Sequence, residues 1–86
     1  MRFRLSQHME EELNTRGIPR ALLQQVLAAP QQIVPEREGR KAYQSQVVFE
    51  GGKLYLLRVI VLDTVEPPLV ITAYRTSRIR AYWREP

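Results

Sequence analysis

The sequence has no cysteine and a single histidine among its 86 residues. Without cysteine the chain can form neither disulfide bonds nor thiolate metal ligands, and one imidazole cannot build a site that needs several histidines. We therefore expect no metal and no cofactor. Whatever chemistry the chain carries has to come from carboxylates, arginines, tyrosines and the lone histidine.

Long apolar runs are also missing. The apolar stretches fall well short of the roughly 20 residues that cross a bilayer, and Met1-Arg2-Phe3-Arg4 is not followed by the apolar core of a signal peptide. We expect a cytoplasmic protein without a membrane segment. A chain of this length has room for one hydrophobic core, so residues 1–86 are predicted to form a single domain.

Positive charge is in excess and unevenly distributed. Thirteen Lys and Arg face nine Asp and Glu, for a net charge of +4. Four arginines and no acid lie in residues 75–84, whereas residues 10–12 are three consecutive glutamates. A basic end of this kind attracts polyanions, and the arginine fork suits phosphate or carboxylate.

Three apolar runs predict an antiparallel meander. Residues 43–49 and 54–62 flank Gly51-Gly52, which is typical of a hairpin, and residues 69–74 follow the turn at Pro67-Pro68. The middle run is apolar at nearly every position, as expected of a central strand covered on both faces.

Two short helices are predicted before the meander. Ser6 is a suitable N-cap for a helix over residues 7–15 that stops at Gly17. Pro19 opens a second helix, which ends at Ala28-Ala29-Pro30. Residues 2–5 predict a short first strand, and a short final helix or tail is expected to begin near Thr76-Ser77.

Between the second helix and the meander, residues 31–36 are predicted to be extended, with Ile33 and Val34 buried. We interpret residues 36–41 as an exposed turn whose charge serves solubility. The order of elements favours a two-layer α+β fold, in which the short first strand and the helical hairpin pack on a mainly antiparallel sheet.

Several short motifs resemble a family of small bacterial domains of unsettled function within the RelE/ParE-like toxin superfamily, near the BrnT toxins. The resemblance covers residues 3–83 and rests on His8 with Arg16-Gly17-Ile18, Val26-Leu27-x-x-Pro30, Val70-Ile71-Thr72-Ala73-Tyr74 and Arg78-Ile79-x-x-Tyr82-Trp83. It implies an RNA-cleaving toxin that an antitoxin protein neutralises.

His8 and Arg58 are the first candidates for catalysis. Histidine titrates near neutrality and is a natural general acid or base, but His8 can also simply bond Glu12 one turn on. By strand alternation Arg58 shares a sheet face with Leu56 and Ile60. On an open face it would hold a phosphate, as the superfamily's sheet arginines do; on a covered face it would pair with a helix-one glutamate.

The basic C-terminal stretch is the clearest signal in the sequence. Its arginines alternate with aromatic residues, a pattern that suits single-stranded RNA, and we predict a nucleic-acid-binding set of Arg78, Arg80, Tyr82, Arg84 and Lys53. The alternative is a solvated tail whose aromatic rings pack back on the sheet. Lys53 can equally be a solvated residue after the glycine turn.

Arg75 and Tyr74 complete the predicted catalytic set, Arg75 to hold phosphate and Tyr74 to transfer a proton. We expect Arg58, Arg75 and Arg78 to gather on one side of the sheet and the helices to cover the other. Two hypotheses follow: a metal-independent endoribonuclease acting on mRNA as a toxin, or a non-catalytic module of the same fold that binds RNA or an acidic protein.

Overall fold

A computed structural model describes residues 2–85 as a two-layer α+β protein. The elements in chain order are β1 (Arg4–Leu5), α1 (Gln7–Thr15), α2 (Arg20–Ala28), β2 (Gln32–Pro35), β3 (Lys41–Val48), β4 (Leu54–Leu62), β5 (Leu69–Thr76) and α3 (Ile79–Tyr82). The predicted fold class is confirmed, and residues 31–36, predicted only as extended, contain a further strand, β2.

The sheet has five strands in the order β1-β5-β4-β3-β2. Strand β1 pairs parallel to β5, and the other neighbours are antiparallel. The apolar run of residues 54–62 is therefore the central strand, as predicted. None of the helices within residues 2–85 is long and apolar enough to cross a membrane.

Local signals set the ends of the helices. The Ser6 hydroxyl accepts the Met9 N–H at 3.0 Å and caps α1, and Gly17 after the helix adopts a φ of 64°, which a Cβ would disfavour. Pro19 stands as the N-cap of α2 rather than as its first residue. Pro19 needs no backbone donor there, and its carbonyl accepts the first helical hydrogen bonds, from Leu22 and Leu23.

The main core lies between the two helices and one face of the sheet, which we call the helix face. The helices contribute apolar residues at helical spacing, and alternate residues of β4 face them. The buried members are Met9, Leu13, Ile18, Leu23, Val26, Leu27, Tyr43, Leu57, Val59, Val61, Val70 and Ala73.

The other side of the sheet, which we call the distal face, carries a smaller apolar cluster. Val34, Ala42 and Ile60 are buried there, with Tyr74 packed against them. The prediction that Val34 is buried is confirmed, but Ile33 is 50% exposed and its prediction was wrong. Neighbouring residues of a strand face opposite ways, so β2, an edge strand, buries only one of them.

Two valines on neighbouring strands test how far packing supports the fold. Val61 is fully buried, whereas Val48 is 61% exposed. We expect Val61→Ala to lower the free energy of unfolding by roughly 2 kcal/mol, because two buried methyl groups are lost and a cavity remains. Val48→Ala is the matched control and should change stability by less than about 0.5 kcal/mol in urea denaturation. Equal losses would contradict the assigned core.

Candidate functional site

Arg58 is the charged centre of the distal face. Its side chain is 3% exposed, and its three nitrogens each donate a hydrogen bond. Nε donates to Gln44 Oε1 at 2.8 Å, Nη1 to the Tyr74 hydroxyl at 2.6 Å and Nη2 to Glu36 Oε2 at 2.7 Å. The guanidinium thus joins β3, β4, β5 and the turn after β2 in one network.

The network holds Arg58 in its charged form. Burial alone would lower the pKa of Arg58, but the hydrogen bonds to Glu36 and Tyr74 outweigh it, and the pKa lies above its ordinary value. A buried charge of this kind is stable only when paired and hydrogen-bonded. The pairing is with Glu36 from the β2–β3 turn, not with a glutamate of α1 as predicted.

A polar cleft of about 390 Å³ opens beside this network. Glu36 and Tyr74 belong both to the network and to the cleft wall, and Thr72 joins them from the same face of β5. Arg37, Glu38 and Arg40 line the cleft from the β2–β3 turn, together with Ile60 from the sheet. The interpretation of residues 36–41 as a turn that serves solubility alone was therefore incomplete.

The chain beyond β5 folds back over Arg58. The Tyr82 ring lies 4.4 Å from the guanidinium carbon, and the Tyr82 carbonyl accepts from Gln44 Nε2 at 3.2 Å. The arrangement confirms the alternative in which Tyr82 packs back on the sheet. Arg58 itself has almost no contact with solvent, so only its partners reach the cleft.

Of the predicted catalytic residues, the structure brings Arg58 and Tyr74 together, and they are direct cross-strand partners. It does not bring His8 to them. His8 lies on α1, in the layer on the other side of the sheet, with its side chain 64% exposed and 3.5 Å from Glu12. The structural alternative for His8, a contact one helical turn away, is the one observed.

Arg75 also lies apart from Arg58. It pairs with Leu57 in the sheet and therefore points to the helix face, where its guanidinium carbon is 4.4 Å from the Phe49 ring and 5.0 Å from the Tyr55 ring. The prediction that Arg58, Arg75 and Arg78 gather on one side was wrong, because adjacent residues of β5 alternate between faces. These three arginines therefore do not form one phosphate-binding surface.

The predicted nucleic-acid-binding residues occupy two places. Lys53 follows the β3–β4 turn, and its Nζ lies 5.4 Å from the Tyr55 ring, which Arg75 also contacts. Arg78, Arg80 and Arg84 are exposed in the C-terminal stretch, whereas the Tyr82 ring is taken up by Arg58. Among residues 2–85, no ion pair involves Lys53, Arg75, Arg78 or Arg80.

Sequence reasoning missed Glu36, Gln44 and Arg40. Gln44 is fully buried, and its amide links Arg58 to Gln32. The available signal was the buried arginine itself, since a guanidinium in a central strand requires a carboxylate and further acceptors. The sequence does not show which carboxylate pairs with Arg58. Within residues 2–85, no cluster of three or more His, Asp or Glu is arranged to hold a metal ion.

Fold and site together define a small α+β protein with a polar cleft on the sheet face opposite its helical hairpin. Residues 5–75, most of the chain, match a protein family described as "Domain of unknown function (DUF4258)", and the chain belongs to that family. Comparison with curated proteins and with solved structures gave no match.

The Glu36–Arg58 pair is testable through stability. Glu36→Gln keeps an acceptor oxygen but removes the counter-charge of a buried guanidinium, so we expect a loss of about 1–2 kcal/mol. Glu38→Gln in the same turn is the matched control, since the Glu38 side chain is 75% exposed and its 3.6 Å contact with Arg40 is a weak surface ion pair. Chemical denaturation of both variants measures the difference. Similar stabilities would mean that Arg58 does not depend on Glu36.

Proposed function

We propose that this protein is a metal-independent endoribonuclease that cleaves single-stranded RNA in the distal-face cleft. One observation carries the proposal. A carboxylate (Glu36) and a phenol (Tyr74) both bond the same buried guanidinium and both line a polar cleft that arginines border. A proton acceptor, a proton donor and cationic groups are the parts that this reaction needs.

In this mechanism Glu36 takes the proton from the ribose 2′-hydroxyl, and the 2′-oxygen attacks the adjacent phosphorus. Tyr74 gives its proton to the departing 5′-oxygen as the P–O bond breaks. The products are a 2′,3′-cyclic phosphate and a 5′-hydroxyl, and proton exchange with water restores both side chains. No step requires a metal ion or a cofactor.

The arginines have different roles in the proposal. Arg40 and Arg37 line the cleft from the turn and are placed to stabilise the charge that develops on the phosphate oxygens. Arg58 is a positioning residue, because it is buried and fixes the oxygens of Glu36 and Tyr74 through its own hydrogen bonds. His8 and Arg75, in the other layer and on the other face, take no part in the chemistry.

The biological setting is part of the proposal. An activity against mRNA acts in the cytoplasm and has to be held in check there, which is the arrangement of a toxin and its antitoxin that the sequence resemblance implies. We propose RNA as the substrate and a cognate antitoxin protein as the partner.

Cleavage of a single-stranded RNA by the purified protein in the presence of a chelator tests the mechanism. We expect Glu36→Gln and Tyr74→Phe each to lower the cleavage rate by about 10²–10⁴-fold, as is usual for loss of a general acid or base. Arg40→Ala should also lower the rate, because it removes charge from the cleft while leaving the buried network intact.

His8→Ala is the control and should cleave at the wild-type rate, since the His8 side chain lies in the layer on the other side of the sheet. If the wild type cleaves no RNA, or if His8→Ala is the variant that loses activity while Glu36→Gln keeps it, the proposed chemistry is refuted.

A second candidate is a non-catalytic RNA-binding module. The observation that favours it is two groups of cations, Lys53 with Arg75 beside the Tyr55 ring and Arg78 with Arg80 after β5, which we together call the basic end. These four residues form no ion pair within residues 2–85, and rings flank Arg75. Unpaired cations beside aromatic rings suit phosphates and unpaired bases.

Salt dependence separates this binding from cleavage. We expect the affinity for single-stranded RNA to fall with salt, and the slope of log K against log salt to drop by about 0.7 for each phosphate contact removed. Arg75→Gln and Arg78→Gln should each flatten the slope, whereas Arg20→Gln, in the helical layer where Arg20 pairs with Glu10, should not. A slope unchanged in both basic-end variants would remove this candidate.

A further inference from the structure

The C-terminal segment, defined as residues 79–85, is held to the distal face by hydrogen bonds to its main chain and by the Tyr82 ring, which packs edge-to-face on the Tyr74 ring at 6.4 Å. The Gln32 side chain makes two hydrogen bonds to the main chain of Arg84: its Nε2 donates to the Arg84 carbonyl at 2.6 Å, and its Oε1 accepts the Arg84 N–H at 3.1 Å. Gln44 donates to the Tyr82 carbonyl, and the Tyr82 ring covers Arg58. These contacts leave most of the segment exposed.

Each of these contacts has the chemistry of nucleobase recognition. A glutamine amide that donates to one acceptor and accepts from an adjacent donor is the pattern that binds adenine with two hydrogen bonds. A flat ring over a guanidinium is how an unpaired base stacks on arginine. The Arg84 main chain and the Tyr82 ring therefore stand where the edge and the face of a base would be bound.

We propose that the surface under the C-terminal segment is a nucleobase subsite, in which Gln32 hydrogen-bonds the edge of the base and Arg58 stacks on its face. In the free protein the C-terminal segment itself fills this subsite. The inference rests on the proposed function for its ligand, single-stranded RNA, and names adenine as the base. Adenine offers an adjacent donor and acceptor to the glutamine and a two-ring surface to the guanidinium.

A chain of hydrogen bonds links the subsite to residues of the cleft. Gln44 Nε2 donates to Gln32 Oε1 at 2.8 Å, Gln44 Oε1 accepts from Arg58, and Arg58 in turn holds Glu36 and Tyr74. A base bound at Gln32 therefore lies at one end of an ordered chain of side chains whose other end is the acid–base pair. An RNA strand that fills the subsite presents its neighbouring sugar and phosphate toward the cleft.

The C-terminal segment is expected to detach from the distal face at low free-energy cost. Its helix, α3, has four residues, no side-chain cap and no buried residue. Short segments with exposed backbone hydrogen bonds and few buried contacts open at low free-energy cost. When the segment lifts, the stacked face of Arg58 and the amide of Gln32 become free together. The Tyr74 ring loses its edge-to-face contact with Tyr82, while the hydrogen bonds from Arg58 still hold the Tyr74 hydroxyl and Glu36.

Tyr82→Ala tests whether the segment competes with RNA. Removing the ring weakens the internal occupant, so the full-length variant should bind fluorescein-labelled octa-adenylate about tenfold more tightly than wild type, since affinity rises with the open fraction. The octanucleotides carry 2′-O-methyl groups, which the proposed cleavage cannot use. Tyr82→Phe is the matched control and should keep the wild-type affinity, because it retains the ring. Fluorescence anisotropy in one buffer of fixed salt measures both.

Substitutions of Gln32 test whether this side chain selects adenine. In the Tyr82→Ala background, octa-adenylate should bind about tenfold more tightly than octa-uridylate, and Gln32→Leu should abolish this preference while leaving octa-uridylate binding unchanged. Gln32→Glu, which keeps the size of the side chain but loses the amide donor, should do the same. Thermal melts of each variant confirm that the fold is retained.

The outcomes separate this inference from the proposed function. Tighter and adenine-selective binding without any cleavage upholds the subsite and refutes the endoribonuclease. Cleavage with an affinity that Tyr82→Ala leaves unchanged or weakens upholds the enzyme and overturns the subsite. An unchanged preference in both Gln32 variants, or no binding of either oligonucleotide by any variant, also overturns the subsite.

Discussion

A positive charge buried in the central strand is the constraint on which the rest of the distal face depends. Taking a guanidinium out of water costs several kcal/mol unless a counter-ion and acceptors surround it. Arg58 is 3% exposed, and the structure supplies a carboxylate, a phenol and an amide oxygen within 2.8 Å of its nitrogens. Three strands and one turn thereby become fixed relative to each other, although the apolar cluster on this face is small.

The same constraint produces chemically useful geometry. Glu36 retains 30% of its side-chain exposure and lines the cleft with Tyr74. The guanidinium fixes both oxygens, so in the proposed reaction neither side chain would have to reorganise when RNA binds. The contacts that stabilise the buried cation are thus the contacts that would orient the proposed proton acceptor and donor.

The sequence predicted the parts of this structure that local physics determines. Ser6 and Gly17 mark the ends of α1, and the glycine and proline turns separate β3, β4 and β5, because caps and turns depend on neighbouring residues. The partner of Arg58 could not be predicted, since Glu36 is 22 residues away and its position depends on the register of β3. Arg75 was misplaced for the same reason: only the pairing with Leu57 shows which face it takes.

The position of the C-terminal segment follows from the same network. The hydrogen bonds of Arg58 lie in the guanidinium plane and leave its flat faces without a polar partner, and an aromatic ring attracts a cation placed over its face. Tyr82 fills that place at 4.4 Å, and the amides of Gln32 and Gln44 satisfy the main chain that carries it. Any group that replaces Tyr82 must therefore be flat, able to stack on a cation, and bordered by a donor beside an acceptor. A nucleobase meets all three requirements, whereas an aliphatic side chain meets none of them.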